Sequence, residues 1–122
     1  MEMKSRFRFE RMEIWIRAIE FAGQIYRVST RFPTEERYGL TSQIRRASVS
    51  ISSNVAEGSS RTSDNDFARF IEIAYGSLME CVSQLYLAKN ESWLSEDDFL
   101  GLYQSADELS RMLSAFRGTL KR

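Results

Sequence analysis

Arginine offers the most chemistry in this sequence: 14 of the 17 basic residues are Arg. Its planar guanidinium grips phosphate or carboxylate through two parallel hydrogen bonds, which an ammonium cannot do. Arg45 and Arg46 are adjacent, so on a helix they point about 100° apart and cannot both be buried. Arg27, Arg31, Arg37 and Arg61 lie nearby in sequence or at expected helix ends. Arg45, Arg46, Arg61, Arg31 and Arg37 together form a candidate surface for the phosphates of RNA or DNA. The alternative is that the same guanidinium groups pair with glutamates on a neighbouring helix or across a subunit boundary. A net charge of zero conceals an uneven distribution that bears on this choice. Residues 1–62 carry 11 Lys and Arg against 7 Asp and Glu, whereas residues 63–122 carry 6 against 10. The basic half is the one to search for an anionic partner.

The usual catalytic and metal-binding sets do not assemble. With no histidine in the chain, Ser-His-Asp and Cys-His nucleophiles are excluded, and so is the Glu and His ligand set of di-iron bundles. Glu72 and Glu80 fall two turns apart on one expected helix and could line a groove, but they are better placed to face solvent or pair with Arg. No catalytic residue, metal site or cofactor is expected. The single cysteine, Cys81, falls on an apolar stripe, where a thiol is a small inert core group. Neither of the glycine-rich phosphate-binding loops occurs. Residues 54–61 have the outline of a helix-turn-helix turn, but Asn54 and Asp64 stand where that motif needs small and apolar residues. The lone cysteine, the charged N-terminal segment and the lack of any apolar run near 20 residues predict a cytoplasmic protein without a membrane span.

These residues must be carried by helices. One proline, 43% apolar and 28% charged residues disfavour both disorder and a turn-rich β fold. Apolar residues recur three and four apart along four segments, the spacing that keeps a stripe on one helix face. Trp15, Ala18, Ala22, Ile25, Ser29 and Phe32 mark the first, which Pro33 stops. Leu40, Ile44, Ala47, Ile51 and Val55 mark the second, with Thr34 as its N-cap and Gly58 as its C-terminal stop. Phe67, Ile71, Ala74, Leu78, Cys81, Leu85 and Ala88 mark the third, and Phe99, Leu102, Ala106, Leu109, Leu113, Phe116 and Leu120 the fourth. Ser63 with Asp66, and Ser95 with Asp98, have the spacing of N-terminal caps. The predicted helices are 11–31, 35–58, 64–90 and 96–120. Short connections make the all-α fold an antiparallel up-down-up-down four-helix bundle, one domain over 1–122. The charged N-terminal segment is expected to be a frayed or extra turn.

Some apolar residues lie off these stripes, among them Phe21, Val28, Val49, Phe70 and Ile73. Self-association would bury them, which makes them the candidate interface of a homo-oligomer. A wider stripe within one subunit would absorb them equally. The serines at 48, 50, 52 and 53 leave little bulk and permit close helix approach, and Asn54 at the stripe's edge suits a residue that sets helix register.

The string from Gln43 to Gly58, QIRRASVSISSNVAEG, with Arg61 after it, resembles the four-helix-bundle proteins first noticed as products of intervening sequences in bacterial 23S rRNA genes. Trp15 through Tyr26, Phe32-Pro33 with Glu36 and Tyr38-Gly39-Leu40, and Phe67 through Glu80 match the same family, so the resemblance spans roughly residues 12–90. It implies a ring-shaped homo-oligomer, most often a pentamer. Some such proteins carry the name of ribosomal proteins. A structurally similar relative, the accessory protein of diversity-generating retroelements, binds nucleic acid and a reverse transcriptase. Carried onto this chain, that likeness nominates Arg45 and Arg46, with Arg61, as phosphate contacts. Its pI near 6.3 departs from the strongly basic character of such an accessory protein. The expectation from sequence is a non-enzymatic homo-oligomer that binds RNA or a ribonucleoprotein through arginines of its first two helices. The competing expectation is a protein-binding scaffold whose arginines are structural.

Overall fold

The computed structural model describes residues 4–120; residues 1–3 and 121–122 of the expected domain lie outside this range. Four helices follow one another: α1 Glu13–Ser29, α2 Leu40–Gly58, α3 Asp64–Asn90 and α4 Glu96–Leu120. They run up, down, up and down, and each packs chiefly on its neighbours in the cycle α1, α2, α3, α4, with the α2 and α3 contact the most extensive. One contiguous core runs between them, built from residues such as Ile25, Ile44, Ile71 and Leu113, all fully buried. No helix is long and apolar enough to cross a membrane among the described residues.

The caps of α3 and α4 match local expectation. Ser63 Oγ accepts the Asp66 N–H at 3.1 Å, and Ser95 Oγ accepts the Asp98 N–H at 3.1 Å, each satisfying one of the amides a helix start leaves without a partner. The start of α2 differs. Thr34 is not its N-cap; Thr34–Glu36 forms a separate 3₁₀ turn, and the helix begins only at Leu40, after Gly39 at φ −109°, ψ −114°. The Glu36 carboxylate supplies the cap by accepting the Leu40 N–H at 3.0 Å. A Cβ on residue 39 would stand 2.9 Å from that same carboxylate oxygen, so the glycine clears the path of the cap.

At the other end of α2, Gly58 is still helical, and no glycine among the described residues has a positive φ. The helix ends at Gly58 as expected, but without a left-handed turn. A Cβ there would lie 2.7 Å from Phe70 Cβ and 2.8 Å from Phe67 Cδ1. The residue is small because α2 and α3 converge onto it.

The first helix also corrects the reading of surplus apolar residues. Phe21 is 2% exposed and Val28 is 9% exposed; both belong to the single-chain core and are unavailable to a subunit interface. Ile14 is buried beside a half-buried Trp15, so the buried stripe of α1 is wider than one row of residues. The N-terminal segment forms a docked 3₁₀ turn over Arg8–Arg11. Phe9 meets Trp15 edge-on at 4.9 Å, and the Arg8 guanidinium lies 5.0 Å from the Phe67 ring centre. The Glu10 carboxylate accepts the N–H groups of Phe7 and Arg6, which holds its carboxyl below the ordinary value.

Candidate nucleic-acid interface

Antiparallel packing sets the α1 to α2 connection and the first turns of α2 at one end of the bundle. Residues 26–46 hold five arginines against two glutamates, and two tyrosines stand among them, Tyr26 at 43% and Tyr38 at 88% exposure. Within this end, each nominated arginine has its own environment.

Arg45 is half-buried in the seam between α1 and α2. Its Nε donates to Ser29 Oγ at 2.8 Å and its Nη2 to the Tyr26 carbonyl at 3.3 Å, while the guanidinium lies 4.8 Å from the Tyr26 ring centre. Ser29, the polar member of the α1 stripe, is thereby explained: it is buried, accepts from Arg45 and donates to the Tyr26 carbonyl. Arg45 thus clamps α1 to α2 and leaves only part of its donor fork toward solvent. Arg46 turns the other way. It is exposed, reaches Ser42 Oγ only at 3.5 Å, and has no carboxylate partner among the described residues. Arg37 is exposed and lies 5.7 Å from the Tyr38 ring centre.

The remaining two nominees are differently engaged. Arg31 Nη2 binds Asp98 at 2.6 Å across to α4. Arg61 pairs with Glu57 at 3.1 Å and covers the Phe70 ring at 4.7 Å. It also sits past the far end of α2, and the 12 residues from Arg46 to Gly58 alone span about 18 Å of helix. Arg61 therefore does not join the others. Part of the charge division between the two halves of the chain is settled internally, because Arg17 pairs with Glu108 as well as Glu13, and Arg31 with Asp98. The Glu108 contact raises the Arg17 pKa. Glu72 binds Arg117 at 2.6 Å.

Sequence reasoning missed the two tyrosines. Their signal is present as Tyr26-Arg27 and Arg37-Tyr38, aromatic residues beside arginine, the combination on which unpaired bases stack. Glu80, weighed from sequence as a groove-lining residue and set aside, does line a groove of about 420 Å³ between α2 and α3, together with Gln43, Arg46, Ala47, Ser50 and Ser77, which sequence reasoning did not bring to it. Of the residues nominated for a subunit interface, Val49 is 41% and Ile73 49% exposed, and Phe70 is half-buried beneath Arg61. Further exposed apolar side chains went unnoticed, including Ile19, Tyr75, Met79 and Tyr86. Cys81 is fully buried; desolvation pushes its thiol up to about 12, with Glu80 adding to the shift.

Known proteins place this geometry in context. A crystal structure of a protein of unknown function from the S23 ribosomal protein family of Bacteroides thetaiotaomicron has the same fold, with a TM-score of 0.79 over 85% of this chain and 97% of that one, at 21% sequence identity. No curated protein matches the chain. The family model of the 23S rRNA-intervening sequence protein matches residues 10–115, taking in all of α1, α2 and α3 and most of α4; the chain belongs to the 23S rRNA-intervening sequence protein family.

Proposed function

We propose that this chain is a non-enzymatic, cytoplasmic helical bundle that binds RNA, free or within a ribonucleoprotein, through the arginine and tyrosine end of α1 and α2. The observation that carries this reading is the five-to-two excess of arginine over glutamate in residues 26–46, interleaved with two exposed tyrosines, on the α1 and α2 side of an end whose α4 side carries Glu96, Asp97 and Asp98. Cations steer and hold the phosphate backbone, and exposed aromatic rings stack on unpaired bases. Arg37 and Arg46 serve as the phosphate contacts, Tyr38 as the stacking surface, and Arg45 chiefly as the clamp that holds α2 in position. Membership of a family named for 23S rRNA intervening sequences supports RNA over other polyanions.

The bundle works as a homo-oligomer, with a pentameric ring as the arrangement that the family resemblance suggests. Exposed Val49 and Ile73, with half-buried Phe70, are the interface residues that remain after Phe21 and Val28 are assigned to the core. Light scattering tests this part: a monomer of 14.2 kDa at micromolar concentration overturns it.

RNA binding is tested by fluorescence anisotropy with a labelled hairpin RNA carrying a single-stranded loop, across a salt series. Affinity should fall steeply with salt, and Arg37→Ala with Arg46→Ala should flatten the logarithmic slope by about 1 to 2. Absence of binding at low salt, with the oligomer intact, would favour the protein-binding scaffold instead.

A further inference from the structure

The groove between α2 and α3 is lined mainly by polar residues, and its polar groups are incompletely used. Ser50 Oγ and Ser77 Oγ lie 2.9 Å apart across the two helices, and Asn54 Nδ2 donates to Ser50 Oγ at 3.0 Å and to the Ser50 carbonyl at 2.7 Å. Two hydroxyl groups bring two protons to one mutual hydrogen bond, so one O–H is left without an acceptor among the described residues. Glu80 accepts from Gln84 Nε2 at 3.3 Å through one carboxylate oxygen only. Arg46 and Gln43 line the same groove. Arg46 and Glu80 line one groove without forming an ion pair.

This combination selects among ligands. A bare phosphate would be held by Arg46 but repelled by Glu80. A ligand with an anion at one end and hydroxyl donors at the other satisfies both. The groove's volume of about 420 Å³ lies within the roughly 300–1,000 Å³ of small-ligand sites. We infer that the groove between α2 and α3 takes one ribonucleotide unit, with Arg46 on its phosphate and Glu80 with the Ser50 and Ser77 pair on its ribose hydroxyls. The ribose 2′-hydroxyl distinguishes RNA from DNA, and a carboxylate acceptor on it makes the groove the element that discriminates between them. Where the unit belongs to a strand, the inference rests on the RNA reading above; a free nucleoside monophosphate offers the same chemistry.

The test compares affinities for a short single-stranded RNA and the DNA of matched sequence, in wild type and in Glu80→Ala, Arg46→Ala and Arg37→Ala, each checked for native helicity. Wild type should prefer RNA by about tenfold, the effect of one hydrogen bond to a charged group. Glu80→Ala should bring the RNA to DNA ratio close to one. The ratio is the readout because removing a negative charge strengthens both affinities alike. Arg46→Ala should weaken both nucleic acids equally. Titration with AMP and dAMP, followed by the amide resonances of Gln43 and Asn54, identifies the source: shifts with AMP but not dAMP assign a free nucleotide, and shifts only with the RNA strand assign a strand. RNA binding that weakens in Arg37→Ala while the ratio ignores Glu80→Ala would overturn the groove and leave the RNA reading standing. Failure of RNA, DNA and AMP alike to bind would overturn both.

Discussion

Replacing glycine by alanine at two helical positions should move stability in opposite directions, and the structure supplies both signs. At Gly76, on the exposed face of α3, nothing lies within 4 Å of the added methyl. The gain there is the ordinary preference of a helix interior for alanine, about 0.5–1 kcal/mol. At Gly58 the same methyl would lie 2.7 Å from Phe70 Cβ and 2.8 Å from Phe67 Cδ1, against about 3.5–4.0 Å for a comfortable carbon contact. Phe67 is fully buried, and its ring meets Phe116 at 5.2 Å, so it cannot turn aside cheaply. Overpacking of this kind costs about 1–3 kcal/mol, and the propensity gain at the last residue of a helix is smaller than in its interior. Gly58→Ala should therefore destabilise by about 1–2 kcal/mol. Urea unfolding followed by circular dichroism at fixed protein concentration measures both variants. The midpoint should fall for Gly58→Ala and rise for Gly76→Ala, with the slope unchanged. A Gly58→Ala midpoint at or above wild type would refute the claim that close approach, rather than backbone freedom, explains this glycine.

Three further outcomes follow from local geometry. Ser92 holds φ +64° at the end of α3, where Trp93 N–H returns to the Ala88 carbonyl at 2.9 Å and Ser92 N–H to Lys89 at 3.0 Å; this is the left-handed position that glycine favours, so Ser92→Gly should stabilise by about 1 kcal/mol in the same unfolding assay. Arg45→Ala should cost about 1 kcal/mol by losing the Ser29 and Tyr26 contacts, whereas Arg46→Ala should stay within about 0.5 kcal/mol of wild type. Equal effects would contradict the division of labour between the two neighbours. Cys81 should resist a thiol reagent at pH 8 until the chain unfolds. Its thiol titrates near 12 when folded against an ordinary 9.0, so above about pH 9 the unfolded chain binds fewer protons, and stability attributable to Cys81 should decline by about 1.4 kcal/mol per pH unit. The difference between wild type and Cys81→Ala isolates that contribution, and parallel pH profiles would contradict it.

Helix number, order and two of the caps were legible because they are local properties: apolar spacing and a serine three residues before an acidic one. The start of α2 was not, because its cap comes from Glu36 in a separate turn and depends on the space that Gly39 leaves beside that carboxylate. Stripe width was not legible either. Spacing gives the direction a helix face points, but only the neighbouring helices decide how far around that face burial extends, and α1 buries Phe21 and Val28 as well as its central row. The arginines were legible as a group and not individually. Arg31 and Arg61 are held by Asp98 and Glu57, while Arg45 and Arg46, adjacent in sequence, serve different seams.

The most specific string in the sequence, residues 43–58, combines two demands that the structure separates. Ser48 and Ser52 are buried and return their hydroxyls to the Arg45 and Val49 carbonyls; with Gly58 they let α2 sit close to its neighbours, and any chain needing this packing would use residues of this kind. Arg46, Gln43 and Ser50 lie on the α3 side and are not consumed by packing. A family resemblance carried by this string is therefore first a resemblance in helix packing, and it transfers the fold with more authority than the ligand. What argues for a ligand is the smaller set that packing leaves over. Its completion by Ser77 and Glu80 from α3 is a property of the folded contact, which inspection of α2 alone could not reveal.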